Sequence, residues 1–522
     1  MTKLWPYTLL TPSAFPHSVE TLELLETHIS WVILTGTFAY KIKKPVDLGF
    51  LDFTTLALRH HYCLRELELN RRFADALYLD VVAITGSRAE PVIGGDGEVL
   101  DYAVKMRQFD SHFLADELAR RGALSDTLIK QMAQTLAGFH QQFPPASPDS
   151  TTSSVDRFFS AASQNFTQIN EYRLQSHDAT LLNTCTRWMK RQQRDNTEIM
   201  QSREQRGFIK ECHGDCHLGN IAVLDGKITL FDCIEFNDAF RVMDTLAEAA
   251  FLTMDLQARN LDAQARLFLN SYLEYRDDYS GLPLFNMYRS YYATVRAKVD
   301  LLSAPASATI EVSKASHPNF CRYLKLAHSF TQKTKPILVL MHGLSGSGKS
   351  YLAERLLKGF NAIRIRSDVE RKRLFGIPFE QSGREVKELY SSETSRRTFE
   401  RLLILSGKVI ASGFSCIVDA TFLSRSSRYP FLEWAERTGM QVLIIDCQSD
   451  DATIVSRLNA RSEQGDDPSD ADVAIYQRQK RSAEPFSAIE QQHVISVQTD
   501  QADGLPELLE AINRLQADTT VE

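Results

Sequence analysis

The chain has 522 residues, 59 of them Lys or Arg and 66 Asp or Glu, for a net charge of -7; 43% of its residues are hydrophobic and 24% charged. This length exceeds what one hydrophobic core usually supports, so two or more domains are expected, and the acidic balance argues against a general affinity for nucleic acid. No stretch nears the ~20 continuous apolar residues of a membrane helix. The first residues lack a signal-peptide pattern, and the eight cysteines fit buried thiols of a reducing compartment, so a cytoplasmic protein is expected.

Up to about Phe109, strand-like runs SWVILTG (30–36), TFAYKIKKPV (37–46) and LDVVAIT (79–85) surround a helical stretch, LRHHYCLRELELNRRFADAL. From about His112 helical periodicity dominates, broken at 143–154 by the loop-like FPPASPDSTTSS. IAVLDGKITLFD (221–232) predicts a hairpin turning at Asp225-Gly226. The pattern is a small strand-rich lobe followed by a larger helical lobe, an α+β unit over 1–327, with a polar linker at 328–335.

Within this unit, ECHGDCHLGN (211–220) admits two readings. Cys212 and Cys216 have a zinc-ligand spacing, but zinc needs four ligands and no second pair follows. His213, Asp215 and Asn220 have the H-x-D-x-x-x-x-N spacing of a kinase catalytic loop. In that loop Asp215 orients and deprotonates a hydroxyl, Asn220 holds Mg²⁺, and Asp232, beyond the hairpin, supplies the second metal-binding carboxylate. HGDCHLGN, FDCIEF and MDTLAEA together resemble the aminoglycoside phosphotransferase family, a small-molecule branch of the bilobal protein-kinase-like fold. The resemblance covers roughly 25–325 and gives His217 and Asp244 places beside the loop. It also implies a strand lysine for the nucleotide phosphates, with a helix glutamate beside it. Lys41 in FAYKIKK fits the lysine, with Lys43 on the same side of the strand as an alternative; Glu66 fits the glutamate better than Glu68. The glycine loop is poor, with Gly36 alone in LTGTF, and no DFG triplet follows Asp232.

Over 336–522 short apolar runs alternate with amphipathic stretches: PILVLMHG (336–343), AIRIRSD (362–368), FSCIVDAT (414–421), MQVLIIDC (440–447) and HVISVQTD (493–500). This alternation predicts an α/β domain with a parallel sheet covered by helices. Gly343, Leu344, Ser345, Gly346, Ser347, Gly348, Lys349 and Ser350 spell GLSGSGKS, a full Walker A sequence between a strand and a helix. Its backbone N–H groups suit phosphate oxygens, Lys349 the outer phosphates and the Ser350 hydroxyl Mg²⁺. Asp368 ends the second run with Arg371 a helical turn later, and Asp419 ends the third as a metal- or substrate-facing acid. Arg457 and Arg461 precede a lid-like SEQGDDPSDAD. These residues resemble the small P-loop kinases that include polynucleotide, gluconate and zeta-toxin-type enzymes.

The two resemblances imply a fusion of two ATP- and Mg²⁺-dependent kinase domains acting on small-molecule hydroxyls, sugars among them. Three alternatives stand beside this reading. In the first, RIRSDVERKR guides a nucleic-acid 5′ end to the second domain; in the second, the first domain senses a ligand or nucleotide for the other; in the third, the chain is a metal-binding scaffold.

Overall fold

The computed structural model describes residues 5–49, 51–146, 153–302, 317–378, 386–464, 471–500 and 504–517, with isolated positions 312, 380, 381, 383 and 469. The central residues of the lid-like stretch (465–468 and 470), and 147–152 of the loop after 143, lie outside the described residues. Two compact units result: Met1–Asn260 with Met287–Thr331, and Leu261–Asn286 with Gln332–Glu522. Leu261–Asn286 packs within the second unit, although it precedes the polar linker in the chain.

The first unit opens with β1 (Glu23–Glu26), β2 (Ser30–Leu34), β3 (Phe38–Lys43), β4 (Tyr78–Gly86), β5 (Pro91–Ile93) and β6 (Val99–Arg107). They form one antiparallel sheet in the order β1-β2-β3-β6-β4-β5. β6 is central, yet its VLDYAVKMR carries charged residues at three positions, which hide it among loop-like sequence. Helix Leu56–Ala74 packs on β4 and β6. Thr55 caps its N-terminus by accepting from the Leu58 amide, and Arg71 and Arg72 fall in its last turn, where cations suit the helix dipole. Its buried face carries Arg59, Cys63, Glu66, Leu69 and Asn70, so three polar side chains there must find partners inside.

Short strands β7 (Ile209–Glu211) and β10 (Val242–Asp244) pair antiparallel, and β8 (Ile221–Leu224) with β9 (Lys227–Leu230) makes the expected hairpin. Asp225 and Gly226 both have positive φ there, the backbone that a two-residue hairpin turn of this hand requires. Helix Thr245–Ala258 is buried on nearly every side.

The second unit holds β11 (Leu338–His342), β12 (Ala362–Arg366), β13 (Ser415–Asp419), β14 (Val442–Gln448) and β15 (Val494–Gln498), all parallel, in the order β12-β13-β11-β14-β15. Leu338 to Met341 are fully buried, which explains why the run reads as continuously apolar rather than alternating. Helices Lys349–Gly359 and Leu505–Ala517 share one core with β11 and β14. Helix Asp262–Arg276 lies along the outer edge strand β12, where Asn270 accepts from the Arg364 amide at 2.7 Å and donates to the Ala362 carbonyl at 3.1 Å.

Candidate functional site

In the first unit, β3 places Lys41 and Lys43 on one face, two residues apart. Lys41 Nζ donates to Glu66 Oε1 at 2.8 Å and also to Asp232. Lys43 Nζ donates to Glu66 Oε2 at 2.7 Å and also to Glu235. Glu66 is fully buried, whereas Glu68 is exposed and pairs with Arg65. Burial alone would raise the Glu66 carboxyl, but the two ammonium groups outweigh it and hold it below the ordinary carboxylate range.

The loop after β7 is fixed mainly through its backbone. His213 Nε2 meets the Phe231 carbonyl at 2.8 Å, the Gly214 amide donates to Glu248 at 2.7 Å, and the Leu218 amide donates to Asp255 at 3.0 Å. Asn220 Nδ2 donates to Asp215 Oδ2 and to the Asp215 carbonyl, each at 3.0 Å. Partial burial would raise the Asp215 carboxyl; the His217 ring beside it and Arg296 offset this and keep it well below the ordinary range. Asp232 adopts a left-handed backbone, φ 62°, and its amide donates to Tyr78 Oη at 3.0 Å. The next amide, of Cys233, donates to Asn70 Oδ1 at 2.8 Å, which is the partner that the buried helix face required. Asp244 is gripped by Arg203 at 2.6 and 2.7 Å and by Tyr288 Oη at 3.0 Å. Asp215, Asn220, Asp232, Lys41 and Glu66 are thus drawn into one connected region of hydrogen bonds and shared loop backbone.

The cysteine question has a local answer. Cys212 does lie near two other ligand types, His140 and Glu248, with ligand atoms within 4.8 Å of one another. Those groups satisfy each other: His140 Nε2 and Glu248 Oε2 are 2.8 Å apart, and Glu248 Oε1 already accepts from Gly214. Burial, with the nearby Glu248 and Asp244 charges, pushes the Cys212 thiol well above its ordinary range, so it stays protonated.

In the second unit the loop Gly343–Ser350 leads from β11 into helix Lys349–Gly359. Two of its glycines have structural reasons. A Cβ on Gly343 would lie 2.5 Å from the Cys447 carbonyl, and Gly348 has φ 87° with Thr499 Oγ1 2.9 Å from where its Cβ would be. Lys349 Nζ donates to the Leu344 carbonyl at 2.7 Å; burial lowers its pKa, with the Asp419 and Asp368 charges opposing. Asp419 is buried at the end of β13 and its Oδ2 has no hydrogen-bond partner; buried Ser347 Oγ also lacks one. The Ser350 hydroxyl heads the helix beside Lys349, half-buried. Asp368 is half-buried at the start of helix Ser367–Arg373, and Arg371 donates to the Leu389 carbonyl at 3.3 Å and Ser395 Oγ at 3.2 Å.

Both arginines after β14 donate to oxygens of the protein. Arg457 donates to Thr499 Oγ1 at 3.1 Å, to the Thr499 carbonyl at 3.0 Å and to the Gly346 carbonyl at 3.4 Å. Those contacts are on the carbonyl side of the loop rather than its N–H side, so Arg457 braces the loop from behind. Arg461 donates to the Ala471 carbonyl at 2.8 Å. Sequence reasoning also missed Gln479, whose side-chain oxygen accepts from the Ser345 amide at 2.9 Å, together with Thr499 and Glu235. Of these, only Glu235 had a local signal, since a second strand lysine two residues after Lys41 calls for a second buried carboxylate.

Residues 63–285 match the family described as phosphotransferase enzyme family, and residues 338–486 match an AAA domain family. Uncharacterized proteins of Mycobacterium tuberculosis and Mycobacterium bovis are each 27% identical over 458 residues, spanning 87% of this chain and 89% of theirs. Among solved structures, an amicoumacin kinase is similar at 13% identity and TM-score 0.37, covering 62% of this chain and 91% of its own. A gluconokinase from Sinorhizobium meliloti is similar at 19% identity and TM-score 0.26, covering 36% of this chain and 96% of its own. The chain thus carries two domains, one that matches the phosphotransferase enzyme family and, after it, one with a parallel sheet and a phosphate-loop sequence that matches the AAA domain family.

Proposed function

We propose that both domains transfer the γ-phosphoryl group of ATP to hydroxyl groups of small molecules. The observation that carries this reading is the cluster of Lys41, Glu66 and Asp232 in the first unit, with the residue before Asp232 tied to the Asp215–Asn220 loop by the bond from the Phe231 amide to the Asn220 carbonyl. Three of these residues come from distant stretches, and no structural need of a small sheet requires three ionised groups to meet there. Asp215 would accept the hydroxyl hydrogen bond and take the proton late; its depressed pKa suits orientation of the acceptor more than early deprotonation. Lys41 would exchange Asp232 for phosphate oxygens while Glu66 keeps it in place.

The residues present fit Mg²⁺. Asp419 Oδ2 is buried and accepts no hydrogen bond, with Arg366 Nε 3.9 Å away as its ion-pair partner, and Ser350 stands at the head of the adjoining helix. In the first unit Asn220 commits Nδ2 to Asp215, so its Oδ1 and the Asp232 carboxylate, itself 42% exposed, are the groups that would hold the cation. An ion held by them would neutralise phosphate charge. In the second unit Asp368 would orient the acceptor hydroxyl, and Lys349 would exchange the Leu344 carbonyl for phosphate oxygens.

The acceptor of the second domain is better read as a small molecule than as a nucleic-acid end. The basic cluster RIRSDVERKR is largely engaged by the protein itself: Arg364 pairs with Glu274 at 3.2 Å, Arg373 with Glu370, and Lys372, nearly fully buried, donates to the Gln381 carbonyl at 2.6 Å. The test is transfer from ATP and Mg²⁺ to pooled sugars, aminoglycosides, nucleosides and 5′-hydroxyl oligonucleotides, comparing Asp215→Ala with Lys349→Ala. Each variant should lose a distinct product. Loss with Lys349→Ala alone would make the first domain a sensor, and no effect of either would end the double-kinase reading.

A further inference from the structure

Beside the first site stands a second buried charge pair that the phosphotransferase reading does not use. Lys43 is fully buried and Glu235 nearly so, and the Lys43 ammonium lies 4.9 Å from the centre of the Phe53 ring. Glu66 divides its two oxygens, Oε1 to Lys41 and Oε2 to Lys43. Five side chains therefore alternate in sign without a break: Asp232, Lys41, Glu66, Lys43, Glu235. Three carboxylates against two ammonium groups leave one excess negative charge at the end where Asp232 reaches solvent.

The geometry is a grip at two points. Lysines two apart on one strand face hold carboxylates three apart on the segment 232–235. Backbone amides already tie that segment, Asp232 to Tyr78, Cys233 to Asn70 and Ile234 to the His213 carbonyl. Of its two side-chain contacts to the strand, the one through Lys41 and Asp232 would break as soon as Lys41 turned to a phosphate, whereas the Lys43–Glu235 contact involves neither residue. The two ends of the chain also constrain Glu66. With Glu235 gone, Lys43 would have Glu66 as its nearest carboxylate and would compete with Lys41 for it. With Lys43 gone, Glu235 and Glu66 would be left as like charges in a buried place.

We propose that Lys43 and Glu235 are positioning residues of the first site, a second clamp that keeps Asp232 and Glu66 in register with Lys41 while a Mg²⁺-nucleotide binds. This rests on the reading that the first domain binds a nucleoside triphosphate. The test uses the full chain carrying Lys349→Ala, which silences the P-loop, with titration of a fluorescent ATP analogue in Mg²⁺ and thermal unfolding of the same samples. Glu235→Gln and Lys43→Met should each weaken binding by about 10–100-fold, the usual cost of losing a residue that orients a ligand-holding group. Lys43→Met combined with Glu235→Met replaces the ion pair with apolar volume, which restores stability relative to either single change. Binding should nevertheless stay weak, because the clamp is gone. A double variant that regains both stability and affinity assigns the pair a purely structural role and overturns the proposal, as does unchanged affinity in a folded single variant. If the Lys349→Ala protein shows no saturable binding, or Lys41→Ala leaves its binding unchanged, the nucleotide reading of the first domain itself fails and takes the proposal with it.

Discussion

Replacing Asn270 with alanine should loosen the edge of the P-loop sheet, although Asn270 lies more than sixty residues before the first strand of that sheet. β12 pairs with β13 on one side only; on the other, the Arg364 amide and the Ala362 carbonyl are taken up by the Asn270 side chain at 2.7 and 3.1 Å. Asn270 and Arg364 are both buried, so truncation strands two backbone groups away from water. At about 1–2 kcal/mol for each stranded group the loss is about 2–4 kcal/mol. For a unit of roughly 200 residues that corresponds to a fall in Tm on the order of 5–15 °C. Differential scanning calorimetry of the full chain, with limited proteolysis to identify which unit opens first, would measure it. The same reasoning expects a fragment starting at residue 336 to be less stable than the second unit within the whole chain, since it lacks Asn270 and the Glu274 partner of Arg364. A shift under about one degree for Asn270→Ala, or a fragment 336–522 as stable as the full chain, would show that helix Asp262–Arg276 does not support the sheet.

Asp244→Ala should cost about 3–5 kcal/mol, because it leaves the buried Arg203 guanidinium without its carboxylate, whereas Glu117→Ala, which breaks exposed pairs with Arg120 and Arg121, should cost far less. Equal effects in urea titrations would contradict this contrast. Burial would raise Glu490, but Arg428 and the Ser487 cap bring it down to about 2, so its contribution is present above the ordinary carboxylate range and is lost as pH falls toward that value. The Tm gap between the native chain and Glu490→Gln should therefore shrink as pH falls from 6 to 3, and a constant gap would refute the assignment. Metal analysis of the purified protein should find no stoichiometric zinc, since His140 and Glu248 already satisfy each other beside Cys212; one zinc per chain would reverse that reading.

Sequence by itself determined the features whose chemistry is contiguous. A phosphate loop needs eight consecutive residues, and GLSGSGKS lies where the five apolar runs of a parallel sheet place it. The spacing of His213, Asp215 and Asn220 is likewise local, as is the hairpin at Asp225-Gly226. Runs such as LVLMH were legible because both faces of the sheet are buried, whereas β6 was not, because its charged positions break the pattern. Only the tertiary structure decided which residues separated by scores of positions share a hydrogen bond. It divided Glu66 between Lys41 and Lys43, joined Lys43 to Glu235 across 192 positions, turned Arg457 to the back of the phosphate loop, and moved Leu261–Asn286 into the second unit. No local mark names the partner in any of these, because a buried charge such as Lys43 requires only that some partner exist and does not specify where along the chain that partner lies.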